Sequence, residues 1–175
     1  MTGLLERLGY HKHNAKLNNA SLKHEEKMYK FFRRSGAYLN SYLLEKMSNQ
    51  DRVSSKVMSH FIDDYLEGYA FRHHNFPVNQ MFGVQSSLPN LMMTLHPLKH
   101  KTDVKNYSKR LRAFSVRIEQ EIIGLKMREN QVIIPPRFTI DKVLEEMRAF
   151  IAVQPVDNPL YTTFVRRVNE LKSIG

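Results

Sequence analysis

Histidines with neighbouring carboxylates are the residues in this sequence that could do chemistry most directly. His24-Glu25-Glu26-Lys27-Met28 comes close to the zinc-helix pattern His-Glu-x-x-His. In that pattern two imidazoles one turn apart bind the metal and the glutamate activates water. Met28 stands where the second imidazole is needed, and a thioether is a poor zinc ligand. The sequence predicts an ordinary helix start here, with Glu25 and Glu26 well placed against the helix dipole. His60, Asp64 and Glu67 fall at i, i+4 and i+7, which sets three metal-capable donors on one helix face. The commoner outcome of such a trio is a solvated face with i,i+4 pairing. The pairs His73-His74 and His11-Lys12-His13 have no further donors at a recognisable spacing.

Other chemistries are poorly supplied. There is no cysteine, so thiolate ligands, redox pairs and disulfides are excluded. The seven glycines are scattered and form no phosphate-binding loop. Ser86 and Ser87 lack the Gly-x-Ser-x-Gly elbow of an exposed nucleophile and are expected to cap a following helix. Asp63-Asp64 and Glu145-Glu146 are adjacent pairs, and neighbours on a helix diverge rather than forming a dyad. No catalytic, cofactor-binding or metal-ligating residue is therefore assigned, and no cofactor is expected in this chain. Lys99, Lys101, Lys105, Lys109 and Arg112 could track phosphates. No aromatics are interleaved with them on that face, so a solvated helix face is the expectation.

The elements that must carry these residues are helices. A first helix is expected from about Ser21 to Met47, with Tyr29, Phe32, Leu39, Leu43 and Met47 on a broad face and Ser35-Gly36 as a kink or break. Ser48 to Asp51 is a turn that caps a second helix from about Arg52 to Phe71, on which Val53, Val57, Phe61 and Tyr65 recur by fours. Leu88 to Leu95 forms a short helix ended by Pro97. The clearest pattern follows: Val104, Tyr107, Leu111, Phe114, Ile118, Ile122 and Leu125 make one apolar stripe on a long helix near 103–129, with Thr102 as its N-cap. Asn130 and Pro135-Pro136 end it. A helix from about Ile140 to Val153, capped by Thr139, carries Ile140, Val143, Leu144, Met147, Phe150 and Ile151 on one side. The last helix opens with Asn158 as N-cap and Pro159 at the first helical position, and presents Leu160, Phe164, Val168 and Leu171. Residues 132–134 are the only short β-like run. The fold class expected is all-α, an irregular bundle of about five to six helices. It is taken as a single helical domain over 1–175, with 1–18 irregular.

At 175 residues, with 42% hydrophobic content, 10 Phe and 8 Tyr, the chain can bury a core. Glu6 and Arg7 leave no room for a signal-peptide apolar region, so the chain as written is soluble and cytoplasmic, with export left open for full-length relatives. The net charge of +10 admits a nucleic-acid or acidic partner without requiring one. Against that charged background, His73 to Leu98 contains no Asp, Glu, Lys or Arg. Its amides and three prolines rule out a membrane span. They suit a loop and short helix buried against protein, where each amide finds a partner.

The run "NQMFGVQSSLPNLMMTLHPL" through "DVKNYSKRLRAF", then "LKMRENQVIIPPRFTIDKVLEEM" and "NPLYTTFVRRV", resembles the bacterial family known as domain of unknown function 885. The likeness is best from about residue 50 to the end. Its markers are "VNQMFGVQSSLP", Asn106-Tyr107 followed by Arg110-Leu111, and the double proline of "IIPPRF". The resemblance implies a helical zinc metallopeptidase of which this chain is the N-terminal part, lacking the leader many members carry. The family's zinc motif, a His-Glu followed by Pro-Gly-His-His, lies downstream of the segment seen here, so no ligand transfers to any residue of this chain.

Three expectations follow. The chain is a non-catalytic helical part that scaffolds a zinc-bearing C-terminal half and is inactive alone. Its peptide substrate then belongs to the full-length protein, and its partner is that half, or a second copy through the 73–98 region, where Phe76, Met81, Phe82, Leu91, Met92 and Met93 would form a sticky patch. The alternative is a stand-alone basic helical module that binds nucleic acid or an acidic protein. A metal-binding bundle built on His60, Asp64 and Glu67 ranks below both.

Overall fold

A computed structural model describes residues 8–42 and 44–172, and every regular element among them is helical. The expectations for Glu6, Arg7 and Leu43 lie outside the described residues. Six α-helices are described: α1 (Leu22–Asn40), α2 (Asn49–Gly68), α3 (Val84–Asn90), α4 (Lys101–Asn130), α5 (Arg137–Ala152) and α6 (Pro159–Lys172). They fall into two compact units, Ala20–Asn75 on one hand and Met1–Asn19 with Phe76–Gly175 on the other.

In the unit Ala20–Asn75, Ser21 caps α1 by accepting from the backbone N–H of His24 at 3.3 Å. The helix ends at Asn40, short of the expected Met47. Ser41 donates its hydroxyl to the Tyr38 carbonyl at 2.7 Å, a local side-chain bond that competes with helix continuation. A 3-10 turn, Leu44–Lys46, follows. Ser48 then caps α2, accepting from the Asp51 N–H at 3.1 Å, so this helix begins three residues earlier than its apolar pattern suggests.

α1 and α2 pack as an antiparallel pair through aromatic rings. Tyr29 stacks on Tyr69 at 4.2 Å between centroids, and Phe32 meets Tyr65 at 4.3 Å and Phe61 at 6.1 Å. Gly36 neither kinks nor breaks α1. A Cβ there would lie 3.1 Å from Cγ2 of Ile62, the buried residue of α2, so the glycine serves close approach of the two helices.

In the other unit the uncharged stretch contributes Met92 and Leu98 to the core. Met92, Leu98 and Tyr107 are buried together, with Val104, Phe114, Leu160, Phe164 and Leu171 packed around them. This corrects the expected sticky patch: Leu91 and Met92 are interior, while Met81 and Phe82 are exposed. α3 starts at Val84, ahead of Ser86 and Ser87, with Gly83 as the capping residue. It runs into one π-helical turn, Leu91–Leu95, closed by the His96 N–H bonding back to the Leu91 carbonyl at 2.8 Å. Pro97 forces His96 into an extended conformation and stops the helix.

α4 is capped two residues ahead of the expected Thr102. His100 is the capping residue, and Asp103 reaches back to accept from the N–H groups of Lys99 and His100 at 2.9 and 3.0 Å. α5 begins at Arg137, because Pro136 already accepts the first helical bond from Thr139. Thr139, expected as the cap, is inside the helix and buried. Asn158 caps α6 as expected, its Oδ1 accepting from the Leu160 N–H at 3.0 Å. Residues 132–134 form no strand; Val132 adopts φ 60°, a left-handed turn conformation between α4 and α5.

Candidate functional site

Along α4 the residues turned inward are Asp103, Tyr107, Arg110, Glu121, Gly124 and Arg128. At 3.6 residues per turn, this face is rotated by about 70° from the centre of the apolar stripe. Tyr107, Phe114 and Leu125 lie on the overlap. Leu111, Ile118 and Ile122 are left on the exposed side, Ile122 at 45%. α5 behaves the same way: of its apolar face only Val143 is buried, while Ile140, Leu144, Met147 and Ile151 are exposed.

Two apolar grooves result. One, of about 490 Å³, is lined by Ile118, Ile122, Leu125, Ile140, Leu144 and Met147, together with Val78 and Val84. Another, of about 570 Å³, lies between Leu111, Phe150, Ile151, Leu160 and Phe164. The unit Ala20–Asn75 carries a third, of about 800 Å³, among Phe31, Phe32, Tyr38, Met58 and Phe61.

The charged side chains that α4 buries are held by hydrogen bonds. Arg110, at 0% exposure, donates from Nε to the Lys16 carbonyl and from Nη2 to the His13 carbonyl, each at 2.9 Å. Its Nη1 lies 3.0 Å from Nδ1 of His96, which is equally buried. Arg117 pairs with Glu121 and also donates to the Asn18 carbonyl at 2.9 Å. Arg128 donates to the carbonyl of Gly124 at 3.1 Å. From α6, Arg167 donates to the carbonyls of Met93 and His96, closing the exposed end of the π turn. Tyr107 packs on Phe164 at 4.6 Å and donates its hydroxyl to the Leu160 carbonyl at 3.1 Å.

The residues singled out by their chemistry are not brought together. His60, Asp64 and Glu67 sit exposed on α2, and Asp63, Glu145 and Glu146 are exposed as well. Among the described residues no three His, Asp or Glu side chains converge on a point. Among the described residues the donors do not fit a zinc ion of the kind the family resemblance implies, and no step is assigned to one. Glu26 pairs with Lys30 at 2.6 Å on the surface of α1, and this hydrogen bond holds its carboxyl below the usual range. Lys99, Lys101, Lys105, Lys109 and Arg112 are all exposed.

Sequence reasoning missed His96 and Arg110 as a pair. The available signal was the 4,3 repeat of polar and apolar residues at 103, 107, 110, 114, 117, 121, 124 and 128. An arginine within such a repeat is usually set aside as surface, since lone charges are seldom buried. Two amides of the uncharged stretch find partners locally: Asn79 accepts from the N–H groups of Met81 and Phe82 and donates to the Phe76 carbonyl, and Gln85 donates to the Asn79 carbonyl, although its own Oε1 is buried without a donor.

No helix among the described residues is long and apolar enough to cross a membrane. A family model described as a bacterial protein of unknown function, DUF885, matches residues 4–174. No curated protein and no solved structure matches the chain.

Proposed function

Because this chain belongs to the DUF885 family of bacterial proteins, we propose that it is a non-catalytic, N-terminal helical part of a zinc-metallopeptidase-like protein, scaffolding a zinc-bearing C-terminal half. The observation that carries this reading is the apolar side of α4 and α5. Leu111, Ile118, Ile122, Ile140, Leu144 and Met147 are exposed along open grooves, and apolar surface of that extent marks an interaction site. Zinc and peptide substrate then belong to the other half, and this chain contributes the wall against which that half packs.

The experiment is to mix the chain with a separately produced C-terminal half of a family member that carries the Pro-Gly-His-His segment. A stable complex by sedimentation, with zinc-dependent peptide hydrolysis absent from either piece alone, is the expected result. Hydrolysis by the 175-residue chain alone, or no association at micromolar concentrations, overturns the proposal.

One observation favours the second reading, a basic module for nucleic acid or an acidic protein: Lys101, Lys105, Lys109 and Arg112 lie exposed on one side of the first half of α4. Its test is binding to duplex DNA at low salt, where each phosphate neutralised contributes about −0.9 to the log–log salt slope. Absence of binding removes it.

A further inference from the structure

The contact between Arg110 and His96 dictates which proton the imidazole carries. A guanidinium has donors only, so Nδ1 of His96 must accept from Nη1 of Arg110 at 3.0 Å. The ring proton is then on Nε2, which donates to the Asp103 carbonyl at 3.1 Å. A second proton would have to sit on Nδ1, facing a donor of like charge in a fully buried site. Burial is the first cause that holds this imidazole below its ordinary value; the positive charges of Arg110 and Arg167 act in the same direction, and the carbonyl and carboxylate of Asp103 oppose them. The edge of Tyr107 completes the surroundings, with ring centroids 5.3 Å apart. The Asp103 carboxylate is itself engaged by the N–H groups of Lys99 and His100.

The same guanidinium holds a distant part of the chain. Through the carbonyls of His13 and Lys16 it ties residues 13–16 to α4, with Asn14 fully buried between them. The next residues are held by Arg117 at the Asn18 carbonyl. The bond that this guanidinium makes to His96 needs the lone pair on Nδ1.

We propose that His96 and Arg110 form an acid-released latch, which holds the segment from His13 to Lys16 on α4 while the imidazole is neutral and lets it go when the imidazole takes a second proton. The closed state binds fewer protons than the open one. Closure is therefore fully favoured above the ordinary imidazole value of about 6.5, and below it the open population rises by up to about tenfold per pH unit. His11, whose Nδ1 lies 3.4 Å from Nδ2 of Asn14, and the exposed His13 are the other imidazoles beside the tether.

Hydrogen exchange of the Asn14 and Lys16 amides, corrected for the chemical exchange rate, tests this between pH 7.5 and 5.0. The wild-type chain should lose protection there as the pH falls, while amides of α1 and α2 keep theirs. His96→Gln retains an acceptor toward Arg110 and a donor toward Asp103 without a titrating ring, so its protection should be flat with pH. Equal acid loss in this variant assigns the effect to His11 or His13, and a flat wild-type profile removes it; either overturns the latch. Should the variant fail to fold, nitrogen NMR of the wild-type ring decides. Protonation of Nδ1 must coincide with loss of tether protection, and a ring that titrates near 6.5 under a protected tether overturns the proposal.

Discussion

Arg110 donates to three separate acceptors through its buried guanidinium. Its removal leaves the His13 and Lys16 carbonyls and His96 Nδ1 without their donor in a buried site. Each stranded acceptor costs about 1–3 kcal/mol, less what local relaxation recovers. Arg110→Met is expected to lower unfolding stability by about 3 kcal/mol, read as a shift in denaturant midpoint. Tyr107→Phe removes one bond to the Leu160 carbonyl while keeping the ring on Phe164, and should cost about 1 kcal/mol in the same measurement. Gly83 is needed for space: a Cβ there would lie 2.5 Å from the Asn79 carbonyl oxygen and 2.0 Å from Gln85 Oε1. Gly83→Ala should destabilise by about 1–3 kcal/mol, because the backbone of the Asn79 turn must shift.

At the scale of elements, α4 shows how capping and packing divide the work. Its start depends on Asp103 folding back over Lys99 and His100, and Asp103→Ala should cost about 1–2 kcal/mol. Its outward apolar residues follow a different rule. Ile118→Gln with Ile122→Glu touches exposed positions, and the second change places a glutamate four residues before Lys126. Stability should stay within about 0.5 kcal/mol. Association with a C-terminal half, or with a second copy, should weaken, as sedimentation can measure. Unchanged association would move the docking surface elsewhere. The caps written into Ser48 and Asn158 were legible beforehand because the donor and acceptor lie within a turn of each other. Thr102 and Thr139 were equally good candidates by type, but a competing residue nearby, His100 with Asp103 in one case and Pro136 in the other, took the role.

For the molecule as a whole, the sequence by itself determined the all-α class, the order of its helices and some of their ends. These depend on apolar spacing, prolines and caps, all of which act within a few residues. It also carried the DUF885 family resemblance, which the match over residues 4–174 supports. The tertiary structure alone decided which side of α4 is inside. Apolar spacing pointed to Leu111, Ile118 and Ile122, yet the helix turns Arg110 inward. The carbonyls that satisfy it come from residues 94 and 97 positions away in the chain. A buried cation is tolerable only where such acceptors converge, and no local pattern can announce a partner that distant. The same long-range choice left the apolar side of α4 and α5 open, and that open surface is what the scaffold reading rests on.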